Sequence, residues 1–170
     1  EARRDAVVDA TLGMLIWGLR RRGSLVRRGN HGEWARGELS QLGPIGLHGS
    51  RIGLVGLGVI GRQVSHVLYT LGATVLGSDP KGLPEHVEVS DVDGILKTCD
   101  AISLHCDLHP GSRGILSAAR LAKAREGIVV VNTARGDLVD VDAAIQLTLQ
   151  GHLGGLALDV FPVEPFPEIS

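Results

Sequence analysis

The sequence predicts an α/β protein built on a doubly wound parallel sheet, and three observations support this fold class. Short apolar runs alternate with amphipathic segments from residue 51 onward. Strands this apolar, separated by helices, are typical of parallel pairing with both faces of the sheet covered. Hydrophobic residues make up 44% of the 170 residues and aromatic residues only 3%, while glycine occurs 24 times. The core must therefore be aliphatic, with many tight turns between elements.

The individual elements follow from the hydrophobic periodicity. The predicted strands are RIGLV (51–55), TVLGS (74–78), a short VEVS (87–90), AISLH (101–105), IVVVN (128–132) and GLALDV (155–160). The predicted helices between them are 59–72, 92–98, 117–124 and 141–150.

The first 50 residues differ from the rest of the chain. A helix is expected near 5–20 and is apolar nearly all round, so it must bury most of its surface against the sheet or against a partner subunit. Gly- and Arg-rich loops follow it. The stretch 43–49 carries Pro44 and Leu47 and is predicted to be a connector into the first strand rather than a flexible linker.

Charge and composition argue against several classes of partner. The formal net charge of −2 gives no support to nucleic-acid binding. The apolar run 6–19 is too short and too interrupted to span a bilayer, and no cleavage site of a signal peptide follows it. A basic cluster follows that run and is favoured as a solvated face over a nucleic-acid or membrane patch, because no aromatic residues are interleaved with it. The cluster consists of Arg20, Arg21, Arg22, Arg27 and Arg28.

The two cysteines, Cys99 and Cys106, have neither a CxxC spacing nor the density of a secreted scaffold. We therefore expect plain thiols and a cytoplasmic location. The chain begins at Glu1, which leads us to expect that it is processed or excised from something longer.

The segment Gly56-Leu57-Gly58-Val59-Ile60-Gly61 matches GxGxxG and has the context that makes this pattern informative. It follows a predicted strand directly and opens a predicted helix. Gly56 allows a tight turn, Gly58 lets the backbone approach a pyrophosphate, and Gly61 allows close packing of helix on strand. The sequence therefore predicts a dinucleotide-binding domain of the Rossmann type. The alternative is a purely structural glycine-rich turn.

Asp79 follows the second predicted strand, 18 residues after Gly61. We expect its carboxylate to accept hydrogen bonds from an adenosine ribose and to repel a 2′-phosphate, so that NAD is preferred to NADP. The alternative is that Asp79 is a capping acid.

NTARGDLVD (132–140) follows the strand IVVV and so lies at the carboxyl edge of the sheet, where open α/β proteins bind ligands. Arg135 there suits a carboxylate, which a guanidinium grips with two parallel hydrogen bonds. Asp159 and Glu164 follow the next strand, so three charged groups are expected to converge on one crevice. Taken alone, Arg135 fits a surface arginine paired with Asp137 or Asp140 better.

These motifs together resemble the nucleotide-binding domain of the D-isomer-specific 2-hydroxyacid dehydrogenases. The resemblance rests on GLVGLGVIGRQV, SDP, SLHCDL, VVVNTARGDLVD and GLALDVFPVEP, in this order and spacing. It runs from the helix at 5–20 to Pro165. It implies an NAD-dependent oxidoreductase acting on a 2-keto or D-2-hydroxy acid, with residues 1–50 as a hinge or dimerisation helix and connector and 51–170 as the dinucleotide-binding domain. It also implies a homodimer.

The resemblance implies roles for individual residues. Arg135 would bind the substrate carboxylate and carbonyl, and Glu164 would pair with a catalytic histidine and raise its pKa. Asp159 would contact the nicotinamide carboxamide. The full set of expected cofactor-binding residues is Gly56, Gly58, Val59, Ile60, Gly61, Arg62, Asp79, His105, Cys106, Thr133, Ala134, Arg135 and Asp159.

The histidine that the resemblance implies would follow a further strand beyond Glu164, and the substrate lobe is not in this sequence. We therefore expect a cofactor domain with two of three catalytic groups, inactive by itself. The alternative is an NAD(H)-sensing dimerisation module that resembles the C-terminal-binding protein corepressors, which share a similar LHC-L segment. Asp107, His109 and the pair Gly136-Asp137 depart from the family pattern, which leaves substrate preference open.

No metal site is expected. His105 and His109 are four residues apart but follow a strand rather than share a helical face, and the other histidines show no ligand spacing. His105 is expected to line the cofactor crevice through its backbone.

Overall fold

The centre of the fold is a parallel sheet of six strands. The computed structural model describes residues 2–23, 26, 30–31 and 43–164. The strands are β1 (Arg51–Val55), β2 (Thr74–Ser78), β3 (Val87–Val89), β4 (Ala101–Leu104), β5 (Val129–Asn132) and β6 (Gly155–Leu158). Their order across the sheet is β3-β2-β1-β4-β5-β6, with every pairing parallel. The predicted doubly wound sheet is confirmed, and its order reverses between β1 and β4, where ligands bind in such folds.

Five α-helices are described beside these strands. They are α1 (Ala2–Leu19), α2 (Val59–Thr70), α3 (Val92–Thr98), α4 (Ala118–Leu121) and α5 (Val141–Leu149). Three of them begin at side-chain caps, because Asp91, Ser117 and Asp140 each accept a hydrogen bond from a backbone N–H in the first turn. Helix α4 is shorter than the predicted 117–124, since Lys123 N and Ala124 N bond to carbonyls only three residues back and tighten the end into a turn.

Helix α1 packs on the sheet along one stripe. Val8, Thr11, Leu15 and Leu19 are buried and spaced three or four residues apart, as one helical face requires. Gly18 faces β5 so closely that an added Cβ would lie 2.5 Å from a Val129 methyl group. The sheet therefore covers one stripe of α1 within this chain, and the rest of its described circumference is exposed or half-buried. Burial of that remainder against a partner subunit, the other alternative, stays a prediction.

Two aliphatic clusters cover the two faces of the sheet. One joins α1 and α2 to the sheet through residues such as Leu15, Val64 and Val131. The other joins α3, α4 and α5 through residues such as Ile95, Leu121 and Val130. Val130 and Val131 are adjacent in β5 and serve opposite clusters, which is the alternation that a strand covered on both faces produces.

The connector before β1 is anchored as predicted. Ile45 N donates to the Leu19 carbonyl at 2.9 Å, and Thr74 N donates to the Ser50 carbonyl at 2.8 Å. Ile45 and Leu47 pack against the cluster beneath α1. The connector therefore continues the hydrophobic core into the first strand.

The predicted basic cluster is only partly a solvated face. Arg21 is half-buried with a φ of 54°, and its Nη2 donates to the Gly127 carbonyl at 2.9 Å. This contact fastens the end of α1 to the turn before β5, so Arg21 is not part of a solvated face as predicted. Arg22 is exposed, and Arg27 and Arg28 lie outside the described residues.

Candidate functional site: a dinucleotide crevice beside an arginine–glutamate hollow

The glycine-rich loop makes the turn from β1 to α2. Gly56 has a φ of 88°, and a Cβ there would lie 2.5 Å from Cys106 N. A Cβ on Gly61 would collide with the Gly56 carbonyl oxygen. A Cβ on Gly58, in contrast, would meet nothing within 4 Å. The first and third glycines are thus required by the fold, whereas Gly58 keeps open the space above the loop.

The N-terminus of α2 faces this open space without a side-chain cap. The N-cap residue is Gly58, and no acidic residue lies in the first turn. The first N–H groups of the helix and its partial positive charge are therefore available to an anion. A pyrophosphate fits this arrangement.

Asp79 is fixed directly beneath the loop. One of its carboxylate oxygens accepts from Leu57 N at 2.5 Å and the other from Lys81 N at 2.7 Å. The capping role considered for Asp79 is therefore present in the structure. A carboxylate has about four acceptor positions, so capping leaves room for ribose hydroxyl groups as well.

A crevice of about 670 Å³ opens where the strand order reverses. Seven of the residues expected to bind the cofactor line it: Gly56, Gly58, Val59, Arg62, Asp79, His105 and Cys106. Arg62 Nη2 donates to the Gly82 carbonyl at 3.2 Å, which places the guanidinium over the loop after β2. Ile60 and Gly61 do not line the crevice; Ile60 packs against the core beneath the loop.

Several residues that line the crevice were not among those expected to bind the cofactor. They are Val55, Leu57, Ser78, Pro80, Lys81, Asp107, His109, Gly111, Ser112 and Ile115. Pro80 and Lys81 follow Asp79 directly, so their position next to the predicted ribose acid was a usable signal. Ser112 had no such signal: it is buried in a turn, where its hydroxyl donates to the Asp107 carbonyl at 2.7 Å.

His105 and Cys106 form the wall of the crevice next to the glycine loop. The His105 Nε2 and the Ser103 hydroxyl are 3.0 Å apart, and burial lowers the pKa of His105 to about 4. Burial also raises the pKa of the Cys106 thiol. Both side chains are therefore uncharged at neutral pH, which suits a wall that contacts the flat, apolar parts of a nucleotide.

Arg135 stands at the carboxyl end of β5, in a loop held by Asn132. The Asn132 amide Nδ2 donates to the Arg135 carbonyl at 2.8 Å, and its Oδ1 accepts from Ala134 N at 3.1 Å. Among the described residues, Arg135 makes no ion pair. Asp137 instead pairs with Arg113 at 2.8 Å, and Asp140 caps α5. The alternative that Arg135 is a surface arginine paired with Asp137 or Asp140 is therefore wrong.

Arg135 and Glu164 line the same hollow, which has a volume of about 390 Å³. A Cβ on Gly136 would collide with the backbone of Phe161 and Pro162, so this glycine lets the segment that carries Glu164 lie against the arginine loop. Glu164 Oε1 accepts from Phe161 N at 2.8 Å. Leu108 lines the hollow while its neighbours Asp107 and His109 line the crevice, so the two spaces adjoin.

Two other expected site residues are placed differently from what the sequence suggested. The exposed Asp159 follows β6, but it lines neither the crevice nor the hollow, so the predicted convergence of three charges reduces to two. The Thr133 hydroxyl lies 3.0 Å from the hydroxyl of Thr11 in α1, on the buried side of the sheet. The Thr133 side chain therefore does not face a cofactor, and only the backbone of this residue is available for such a contact. Ala134 lines the hollow.

The described residues contain no group of three or more His, Cys, Asp or Glu side chains able to hold a metal ion. None of the helices in this part of the chain has the length and apolar character needed to cross a membrane.

The strand order, the glycine loop and the acid after β2 define a dinucleotide-binding domain of the Rossmann type. The family model described as "D-isomer specific 2-hydroxyacid dehydrogenase, NAD binding domain" matches residues 12–170. The chain belongs to this family, and its cofactor is NAD.

Individual relatives agree with this assignment. The chain is 32% identical over 163 residues to D-3-phosphoglycerate dehydrogenase of Haemophilus influenzae, covering 94% of this chain and 39% of the relative. The structure of a formate dehydrogenase from Staphylococcus aureus in complex with NAD aligns with a TM-score of 0.88 and 27% identity, covering 96% of this chain and 50% of that one. D-lactate dehydrogenase from Lactobacillus jensenii, solved with NAD⁺, aligns with a TM-score of 0.89 and 25% identity, covering 98% and 52%.

The chain thus spans between 39% and 52% of the length of these three relatives. All three are named as dehydrogenases, which favours the dehydrogenase reading over the NAD-sensing module. Their names refer to three different substrates, phosphoglycerate, formate and D-lactate, so possession of this shared domain does not determine the substrate.

Proposed function

We propose that this chain is the cofactor-binding part of an enzyme that moves a hydride between NAD(H) and a 2-keto or D-2-hydroxy acid. The observation that carries the proposal is the shared hollow of Arg135 and Glu164 beside the dinucleotide crevice. A cation for the substrate and a carboxylate for the proton donor then lie next to the place where the cofactor binds.

Arg135 is the proposed substrate-binding group. Its guanidinium has no partner carboxylate among the described residues, so its charge is available to an incoming acid. Two parallel N–H donors match a carboxylate, and the same cation polarises a neighbouring carbonyl. NAD(H), when bound in the crevice, donates or accepts the hydride.

Glu164 is the proposed partner of the group that gives or takes the proton. One of its oxygens is held by Phe161 N, while the carboxylate retains acceptor positions for an imidazole N–H. A carboxylate in that position fixes the tautomer of a histidine and favours its protonated form. Among the described residues, no histidine lines this hollow.

The test is a steady-state assay of NADH oxidation with a panel of 2-keto acids, using the product of the complete reading frame and the 170-residue chain in parallel. We expect the complete product to form the D-enantiomer of a 2-hydroxy acid. We expect the chain alone to bind NADH but to be slower by at least about 10²-fold, because general acid–base catalysis contributes about 10²–10⁴-fold. The absence of 2-keto acid reduction by the complete product, or formation of the L-enantiomer, would contradict the proposal.

We also propose that the protein acts in the cytoplasm as a homodimer. Both cysteines are free thiols, which suits a reducing compartment. The outer side of α1 exposes Ile16 (45%) and Trp17 (52%), large apolar side chains of the kind enriched at subunit interfaces.

Trp17→Glu is therefore expected to weaken the dimer. A charge in the centre of an apolar interface costs enough to raise the dissociation constant at least about tenfold. Analytical ultracentrifugation of the wild type and the variant over a range of concentrations measures this. Val89→Glu is the control, because Val89 is 87% exposed on the edge strand β3. A wild-type chain that sediments as a monomer at all concentrations would contradict the dimer.

A further inference from the structure

The backbone that presents Arg135 is held from inside the protein. Asn132 is the last residue of β5 and is fully buried. Its side-chain amide bonds to two residues of the following loop: it donates to the Arg135 carbonyl at 2.8 Å and accepts from Ala134 N at 3.1 Å. The donor and the acceptor of one side chain thus fix the 133–134 and 135–136 peptide units, which flank the peptide bond between Ala134 and Arg135.

A second contact fixes the same loop to helix α1. Thr11 and Thr133 are both buried, and their hydroxyl oxygens are 3.0 Å apart. The Thr11 hydroxyl donates to the Val7 carbonyl at 2.8 Å. Because a hydroxyl has a single proton, Thr133 must then be the donor to Thr11. Thr133 is thereby tied to a helix that is distant in sequence.

The same contacts act on the backbone of Arg135, whose carbonyl also accepts from Leu138 N at 3.2 Å. The Arg135 backbone is extended, with φ −147° and ψ 138°, and caps the short 3₁₀ turn that follows. Its guanidinium contacts the Ala134 carbonyl, 2.6 Å from Nη1. This exposed bond is local, so the direction in which Arg135 projects depends on the peptide units that Asn132 and Thr133 hold.

We propose that Asn132 is a positioning residue for Arg135, assisted by the Thr133–Thr11 hydroxyl pair. The inference rests on the proposed function, in which Arg135 grips the carboxylate of the substrate. A bidentate grip needs the two N–H donors in one orientation, and a displacement of about 1 Å is enough to lose most of its benefit. Asn132 touches neither the crevice nor the hollow, so its effect passes through Arg135.

The decisive variant is Asn132→Asp in the product of the complete reading frame. Aspartate keeps the size and the acceptor for Ala134 N, but it sets an oxygen against the Arg135 carbonyl in place of an N–H donor. We expect the NADH complex to bind oxamate, a stable analogue of a 2-keto acid, about tenfold more weakly. The affinity for NADH itself should change by less than about threefold, because the glycine loop is untouched.

A second pair of variants keeps the proposal testable if the buried aspartate prevents folding. Thr133→Val removes the hydroxyl at nearly constant volume and is expected to weaken oxamate binding about threefold, while Thr133→Ser should restore it. Thr148→Val is the matched control. The Thr148 hydroxyl donates to the Ala144 carbonyl within α5 at 2.7 Å, so this substitution removes a threonine hydroxyl bond that does not involve the Arg135 loop.

The outcomes separate the two proposals. Oxamate affinity that falls while NADH affinity holds supports the positioning role. Equal loss of both affinities in a folded Asn132→Asp protein, or no loss of either, overturns it. If Thr133→Val behaves like Thr148→Val, the contribution of the hydroxyl pair is overturned. A wild-type NADH complex that binds neither oxamate nor any 2-keto acid of the panel overturns the proposed function and this inference together.

Discussion

Arg135→Gln is expected to lower kcat/KM for the 2-keto acid by about 10²–10³-fold in the product of the complete reading frame. Glutamine keeps a hydrogen-bond donor but removes the charge and the paired N–H groups that match a carboxylate. Truncating one partner of a desolvated charge pair costs about 2–5 kcal/mol, which covers this range. Steady-state kinetics with NADH and the keto acid measure it.

The affinity for NADH separates this effect from general damage. Arg135 lines the hollow and not the crevice, so the dissociation constant of NADH should change by less than about threefold. Arg51→Gln is the control, because Arg51 begins β1 at the strand end opposite the glycine loop and pairs with Glu88 on an exposed surface. An Arg135→Gln protein with nearly wild-type kcat/KM would remove Arg135 from the substrate site.

Gly58→Ala is expected to abolish tight NADH binding without unfolding the chain. Nothing lies within 4 Å of the added methyl group, so the free energy of unfolding should change little. The methyl group occupies the space through which a pyrophosphate reaches the loop amides, and we expect the dissociation constant to rise at least about tenfold. Calorimetric titration and thermal unfolding, followed by circular dichroism, measure both quantities.

Gly56→Ala supplies the contrast, since its φ is 88° and its Cβ would press on the backbone at Cys106. It should lower the thermal midpoint as well as the affinity. Gly46→Ala is the control, because its nearest contact is an ordinary 3.8 Å to the His48 carbonyl oxygen. A Gly58→Ala chain that binds NADH as the wild type does would refute the role given to the open space above the loop.

Sequence reasoning succeeded where local rules decide the outcome. The order of apolar runs predicted all six strands, and the spacing from Gly61 to Asp79 placed that acid at the end of β2. These features depend on backbone geometry and on hydrophobic periodicity, both of which are determined by residues close together in the sequence.

The predictions that failed involve contacts between residues that are distant in the sequence. The Thr133 side chain turned towards Thr11, 122 residues away, and Arg21 bonded to Gly127, 106 residues away. No periodicity reveals such pairs. Asn132 was missed for another reason. At the end of a strand of valines, the sequence indicates only a polar residue where the strand stops, and its bonds to Ala134 and Arg135 form only in the folded loop.

The most direct test of the account is a calorimetric titration of this chain with NADH and, separately, with NADPH. The crevice lined by the glycine loop and Asp79 predicts saturable binding of one NADH per chain. NADPH should bind at least about tenfold more weakly, because the Asp79 carboxylate repels a 2′-phosphate. Equal affinity for the two, or no heat with either in a chain that circular dichroism shows to be folded, would contradict the assignment of the crevice.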